Sequence, residues 1–126
     1  MNATNLPICV IEDNNGIRKL FCTLLNKGGY QTIDFSEGKT ALKWLEANPA
    51  LAVLIDILLP DINGTDIFNI VSQLPHYTGT PFIAVTGFAQ AMDKEKYIEL
   101  GFKGYLSKPV NIATFVQQIK DLIYNS

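Results

Sequence analysis

Residues 51–64, LAVLIDILLPDING, decide the fold of this chain. Residues 51–55 are apolar without interruption, which is typical of a strand that is buried on both faces of a parallel sheet. Asp56 ends this run, and a turn that contains Pro60 and Gly64 follows at once. Open α/β sheets bind their ligands at the carboxyl ends of the strands, so the Asp56 carboxylate is expected at a functional edge of the sheet.

The same alternation extends along the whole chain. Short apolar runs alternate with stretches of helical periodicity, and five such units indicate a parallel α/β sheet rather than an all-α or all-β domain. Besides the strand that ends at Asp56, strands are expected at residues 8–11, 30–35, 81–86 and 104–107. The domain is therefore expected to have five strands, each followed by a helix.

The helices differ in how clearly the sequence defines them. The clearest one follows the first strand, because an apolar residue recurs at helical spacing and Gly28-Gly29 then ends the pattern. Its apolar stripe consists of Ile17, Leu20, Phe21, Leu24 and Leu25. Ser36 is the expected cap of the second helix. The fourth helix, from about residue 90 to 100, has a thin apolar face and is expected to be weakly held.

Length and composition limit the classes of protein that fit. A chain of 126 residues is long enough for one hydrophobic core and too short for two, so residues 1–126 are expected to form one domain. The net charge is −2 and the basic residues are scattered, which argues against a nucleic-acid partner. No apolar stretch approaches the roughly 20 residues of a membrane span, and no signal peptide is recognisable, so we expect a cytoplasmic protein without membrane contact. Cys9 and Cys22 are expected to be reduced thiols.

Polar side chains mark the carboxyl ends of the predicted strands. Glu12-Asp13, Asp56, Thr86 and Lys108 are each the last residue of a strand or the next residue after it. Two carboxylates about 4 Å apart repel each other by ~4 kcal/mol at an effective dielectric constant near 20, so a site that holds three of them needs a divalent ion, a lysine or shared protons. Oxygen-only ligands favour Mg²⁺. A lysine and a threonine hydroxyl beside such an ion are suitable partners for a phosphoryl group.

These residues resemble the receiver domain of two-component response regulators, of the single-domain type. The resemblance covers essentially the whole chain and rests on motifs that occur in the expected order: Glu12-Asp13, residues 56–64, Val85-Thr86 and residues 105–109. It implies a flavodoxin-like, doubly wound parallel sheet in the strand order 2-1-3-4-5, flanked by five helices.

The resemblance also implies a role for each site residue. Asp56 is the expected phosphoacceptor, which takes a phosphoryl group from a phosphohistidine. Asp13, Asp56 and the backbone carbonyl of Leu58 are the expected direct ligands of Mg²⁺, or of Mn²⁺ in its place, and Glu12 would act through water. Lys108 would pair first with the carboxylate and then with the phosphoryl oxygens.

Further residues would switch the domain or tune its rates. Thr86 would hydrogen-bond to the phosphoryl group, and Tyr105 would then move inward behind it. Pro109 would follow a cis peptide bond that orients Lys108. Gly87 follows Thr86 at a position where the family more often has Ala or Ser. Leu58 and Phe88 occupy the positions that tune loss of the phosphoryl group, and both are apolar here, so a long-lived phosphorylated state is expected.

The expected function is signal transduction in a two-component system or phosphorelay, without enzymatic activity beyond the domain's own phosphorylation and dephosphorylation. A histidine kinase or histidine phosphotransfer protein would be the donor. A downstream protein would read the face formed by the fourth helix, fifth strand and fifth helix. The protein would be a monomer or a phosphorylation-linked dimer. The alternatives are a receiver excised from a hybrid kinase or larger regulator, and an inactive pseudo-receiver that binds protein.

Two other functional classes share parts of this pattern. A phosphohydrolase of the haloacid dehalogenase type also uses an aspartate at a strand end, but it needs a second aspartate two residues later, where this chain has Leu58. A flavodoxin-like cofactor binder needs a phosphate loop after the first strand, where this chain has residues 12–15, EDNN. Both are weaker interpretations.

Overall fold

Five parallel strands form the centre of the computed structural model, which describes residues 5–87 and 91–125. The strands lie in the order β2-β1-β3-β4-β5, which confirms the expected doubly wound sheet. Their bounds are β1 Ile8–Ile11, β2 Thr32–Phe35, β3 Ala52–Asp56, β4 Phe82–Thr86 and β5 Gly104–Ser107. The helices are α1 Asn15–Lys27, α2 Gly38–Ala47, α3 Gly64–Val71, α4 Ala91–Leu100 and α5 Phe115–Tyr124, and Pro75–Tyr77 form a short 3₁₀ turn.

Helices cover both faces of the sheet, which explains why its central strands are apolar without alternation. Ile8 and Val10 of β1 pack with α1 and α5, whereas Cys9 and Ile11 pack with α2 and α3. Every residue of β1, β3 and β4 is buried. These buried strands support the residues at the carboxyl edge of the sheet.

Cys9 and Cys22 are both free thiols.

Helix α1 ends where its sequence predicts, at Gly28-Gly29, and it begins after an asparagine cap. The side chain of Asn14 accepts a hydrogen bond from the Ile17 N–H at 2.9 Å, which satisfies one of the free donors in the first turn. The Gly28 N–H donates to Leu24 O, and Gly29 adopts a left-handed φ of 95° that favours glycine. The Asn14 contact thus caps the start of α1, and the two glycines end the helix.

Helix α2 is capped by a residue from a distant part of the chain. Ser36 was expected as its cap, but the N-cap residue is Glu37, whose side chain makes no capping hydrogen bond. The carboxylate of Asp61 instead accepts from the Gly38 N–H at 2.9 Å and from the Lys39 N–H at 2.8 Å. A carboxylate satisfies these donors better than a serine hydroxyl, because it has two acceptor oxygens and a charge that suits the helix N-terminus.

The loop that follows β3 therefore packs directly against the start of α2. A Cβ atom at Gly38 would overlap the side chain of Ile62, so a glycine is required at this approach. The pKa of Asp61 is lowered, because the backbone N–H groups that bind its carboxylate outweigh the opposing effect of desolvation.

The predicted second strand was too long, since β2 begins at Thr32 rather than at residue 30.

Helix α4 has few buried side chains among those that the structure describes. Of its residues from Lys94 to Leu100, Tyr97 alone is partly buried, and it packs against Phe102 and Tyr105. This arrangement agrees with the thin apolar face seen in the sequence. Residue 90, near which the helix was expected to begin, lies outside the described residues. None of the described helices combines the length and the apolar character that crossing a membrane requires.

The Asp61 cap leads to a prediction about stability. Asp61→Ala should lower the free energy of unfolding by about 1 kcal/mol at pH 7, because two backbone donors of α2 lose their acceptor. Asp61→Asn keeps one acceptor oxygen and should cost less. Urea unfolding followed by circular dichroism measures both changes.

The pH dependence of the same variants tests the charge of Asp61. Because the folded-state pKa is depressed, the charge stabilises the fold above the unfolded-state pKa of about 4, and this contribution is lost as the pH falls through the folded-state pKa. The stability difference between wild type and Asp61→Asn should therefore narrow below about pH 4. A difference that stays constant down to about pH 3 would contradict this.

Candidate functional site

The carboxyl edge of the sheet brings the predicted polar residues to one place. Glu12 directly follows β1, Asp56 ends β3, Thr86 ends β4 and Lys108 directly follows β5. Strands β1, β3, β4 and β5 are neighbours in that order, so these four positions lie side by side.

Three carboxylates meet at this edge. Oxygen atoms of Glu12, Asp13 and Asp56 all lie within 4.8 Å of one another. Glu12 is 1% exposed and Asp56 is 5% exposed, whereas Asp13 is exposed. Like charges repel strongly at such distances when water is largely excluded, so the cluster requires positive charge.

Lys108 supplies positive charge from within the protein. Its Nζ lies 2.6 Å from Glu12 Oε1 and donates a hydrogen bond to Asp56 Oδ2 at 3.0 Å. Its backbone N–H donates to Thr86 O at 2.9 Å, which ties the turn after β5 to the end of β4. The peptide bond between Lys108 and Pro109 is cis.

Burial and pairing set the protonation of this ion pair. Burial raises the pKa of Glu12, and hydrogen bonds to its carboxylate from Lys108 and the Asn14 N–H offset this only in part. Burial alone would lower the pKa of Lys108, but the hydrogen bonds and charges of Glu12 and Asp56 outweigh it, so the pKa of Lys108 is raised. Lys108 therefore remains a cation near neutral pH.

The loop after Asp56 holds the carboxylate from the other side. The Leu58 N–H donates to Asp56 Oδ1 at 3.0 Å, and the Leu58 side chain is 51% exposed beside it. The Gly64 N–H donates to Ile57 O at 2.9 Å, and a Cβ atom at Gly64 would lie only 2.6 Å from Asp56 O. A glycine is required here because α3 starts directly against the end of β3.

The remaining predicted residues lie around this cluster. Thr86 is buried, and Gly87, which follows it, is exposed. Tyr105 on β5 is partly buried and stacks on Tyr97 of α4, with ring centroids 5.7 Å apart. Phe88 lies outside the described residues. The three carboxylates thus lie together, Lys108 contacts Glu12 and Asp56, Thr86 ends the neighbouring strand, and Tyr105 lies three residues before Lys108.

One residue of the site region was missed in the sequence. Arg18 of α1 binds Asp34 Oδ2 through Nε at 2.9 Å, and its Nη1 donates to the backbone oxygen of Glu12 at 2.9 Å. The pattern of α1 does not predict these contacts, because Asp34 lies on β2, sixteen residues farther along the chain. Asn26 of the same helix also contacts β2, through Thr32.

The donor set fits a hard divalent cation. All the clustered side-chain ligands are oxygens, and within the described residues the ion pairs to this cluster come from Lys108 alone. Three carboxylates facing one ammonium group leave uncompensated negative charge. Mg²⁺ prefers such oxygen ligands and keeps several waters, which suits a site with one exposed carboxylate, Asp13.

Two comparisons with solved structures agree with this description. The receiver domain of the sensor histidine kinase PA1611 from Pseudomonas aeruginosa PAO1 superposes with a TM-score of 0.83 at 25% identity, over 94% of this chain and 98% of that chain. That structure has a magnesium ion coordinated in its active-site cleft. The chemotaxis response regulator CheY4 of Vibrio cholerae has the same fold, with a TM-score of 0.86 at 22% identity, over 94% and 99% of the two chains.

Sequence comparison gives the family. Residues 8–120 match the response regulator receiver domain. The polar-differentiation response regulator DivK of Brucella ovis is 32% identical over 116 residues, which are 92% of this chain and 94% of that protein. The chain therefore belongs to the response regulator receiver domains of two-component signalling systems.

Proposed function

We propose that this receiver domain accepts a phosphoryl group on Asp56 from a phosphohistidine. An Asp56 oxygen forms the new bond to phosphorus while the phosphorus–nitrogen bond breaks, and the imidazole leaves with the electron pair. The product is an aspartyl phosphate, a mixed anhydride. The observation that carries the proposal is the buried Asp56 carboxylate, which Lys108 and the Leu58 N–H hold in place at the carboxyl edge of the sheet.

A divalent ion is part of this proposal. Asp13, Asp56 and the backbone carbonyl of Leu58 would hold Mg²⁺ directly, Glu12 would act through water, and Mn²⁺ would serve in its place. When bound, the ion supplies positive charge to the phosphoryl oxygens. The oxygen-only donor set and the uncompensated charge of the cluster support this assignment.

Lys108 and Thr86 would respond to the new group. A phosphoryl group brings nearly two negative charges and three strong acceptors to the end of β3. The ammonium of Lys108, which pairs with Asp56 before transfer, would pair with the phosphoryl oxygens afterwards. Thr86 would donate a hydrogen bond to the group, and Tyr105 would follow it inward, with Pro109 keeping Lys108 in position.

The output is a change in protein binding. Receiver domains interact with kinases and with downstream proteins. We propose that a histidine kinase or phosphotransfer protein is the donor here and that the target binds the face of α4, β5 and α5. We also propose that residues 1–126 form a single receiver domain that acts in the cytoplasm, as a monomer or a phosphorylation-linked dimer, and catalyses no reaction beyond its own phosphorylation and dephosphorylation.

The central experiment is intact mass spectrometry after incubation with a small phosphodonor. The wild type should gain one phosphoryl group in Mg²⁺, and the adduct should be absent in EDTA and in Asp56→Asn. Asp121→Asn makes the same change at an exposed position on α5 and should still be phosphorylated. A folded wild-type protein that gains no adduct would instead support the inactive pseudo-receiver.

Asp13→Asn should separate the repulsion within the cluster from the stabilisation by Mg²⁺. Without metal, Asp13→Asn should raise the free energy of unfolding, because it relieves repulsion with Glu12 and Asp56. With Mg²⁺ at about 100 times its dissociation constant, the wild type should gain about 2.7 kcal/mol, and Asp13→Asn should gain much less.

Urea unfolding in EDTA and in Mg²⁺ measures these effects. Glu46→Gln removes a charge at an exposed position of α2 and should show the wild-type gain from Mg²⁺. Equal gains from Mg²⁺ in the wild type and Asp13→Asn would count against Asp13 as a ligand.

The exposed side chain of Leu58 should lengthen the life of the phosphorylated state. An apolar side chain cannot orient an attacking water, so Leu58→Asn should shorten the half-life of the adduct several-fold. Ile70→Asn makes a similar exchange at an exposed position on α3 and should leave the half-life unchanged. The half-lives follow from mass spectra taken after removal of the donor, and a half-life in Leu58→Asn as long as that of the wild type would refute the idea.

A further inference from the structure

We propose that Arg18 is a positioning residue for the magnesium ligand Asp13. It would act through the peptide group that joins Glu12 to Asp13. This inference rests on the proposed function, because it concerns the affinity of the same site for Mg²⁺. Arg18 itself contacts no carboxylate of the acidic cluster, and its effect is therefore indirect.

The guanidinium group of Arg18 joins three elements at once. Nε donates to Asp34 Oδ2 on β2 at 2.9 Å, Nη1 donates to the backbone oxygen of Glu12 at 2.9 Å, and Nη2 donates to Asn15 Oδ1 at 2.7 Å. The Arg18 side chain is 17% exposed, and its hydrogen bond to the Glu12 backbone oxygen is partly buried. Three contacts in different directions fix the orientation of the planar fork.

Asp13 depends on its backbone for its position. The neighbouring Glu12 carboxylate is buried and held by Lys108 and the Asn14 N–H. The Asp13 carboxylate is exposed, and no described residue donates a hydrogen bond to it. Its location relative to Asp56 therefore follows from the path of the chain between β1 and α1.

Strand β2 anchors that path on both sides of Glu12. The Glu12 N–H donates to Phe35 O at the end of β2 at 3.0 Å. The Glu12 carbonyl is held by Arg18, which is itself held by Asp34 of the same strand. An edge strand that contributes no side chain to the acidic cluster thus determines where the Asp13 backbone lies. Groups that orient metal ligands in this way typically change metal affinity by roughly 10- to 100-fold when they are removed.

The charge of Arg18 would act in the opposite direction. A cation near the cluster repels Mg²⁺, so loss of charge alone would strengthen Mg²⁺ binding. Loss of the three hydrogen bonds of Arg18 would weaken Mg²⁺ binding. A third possibility is that the Arg18–Asp34 ion pair only fastens α1 to β2, in which case its loss would lower stability and leave Mg²⁺ affinity unchanged.

Calorimetric titration with Mg²⁺ separates these possibilities. Arg18→Lys keeps the charge but cannot reproduce the fork, and Arg18→Ala removes both. Both variants should bind Mg²⁺ about tenfold more weakly than the wild type, or weaker still. Lys19→Ala is the matched control, because it removes one positive charge from the next, exposed position on α1 and should bind Mg²⁺ at least as tightly as the wild type.

Phosphorylation by a small donor supplies a second readout. In Arg18→Lys the half-saturating Mg²⁺ concentration should rise by the same factor as the dissociation constant, while the rate at saturating Mg²⁺ stays at the wild-type value. Thermal unfolding checks that each variant is folded, and Arg18→Lys remains informative if Arg18→Ala is not.

Two results would overturn the inference. One is wild-type Mg²⁺ affinity in Arg18→Lys, which would show that the fork is not needed. The other is tighter binding in Arg18→Ala, which would show that charge dominates. A folded wild-type protein that binds no Mg²⁺ would overturn the proposed function itself, and this failure is visible before any variant is made.

Discussion

Repulsion among Glu12, Asp13 and Asp56 is the constraint on which the carboxyl edge of this domain depends. Two of these carboxylates are almost fully buried, and Lys108 contacts both of them. Lys108 compensates the negative charge of the cluster only in part, because the cluster has three carboxylates and Lys108 has one ammonium group. The oxygen atoms of these three carboxylates form a group that could hold a metal ion.

The sheet connects the charged cluster to several strands of the domain. The Lys108 N–H binds the end of β4, Asp56 is the last residue of β3, and Glu12 continues from β1. A change at Asp56 therefore reaches three neighbouring strands through direct contacts. Helix α4, which follows β4, has few buried side chains among those described, and low burial of this kind is typical of elements that open or move at low cost.

The sequence predicts what depends on local pattern and on strand ends. Buried strands were visible as apolar runs, and parallel topology then places Glu12, Asp56 and Lys108 at one edge. Contacts between distant residues could not be predicted in this way. Ser36 satisfies the local rule for a helix cap, but Asp61 takes that role because folding brings a stronger acceptor to the same donors. Arg18 was missed because its partner Asp34 lies on another element, and the pattern of α1 does not specify which strand lies beside it.

The Asp61 cap has a consequence for how the chain acquires its structure. Helix α2 ends at Ala47, yet the acceptor for its first two backbone donors is fourteen residues farther on. The helix precedes its own cap during synthesis, so α2 can reach full stability only after β3 has joined the sheet and its following loop has docked. The first half of the domain is thus completed by the loop that follows Asp56, and a shorter nascent chain would leave the start of α2 frayed.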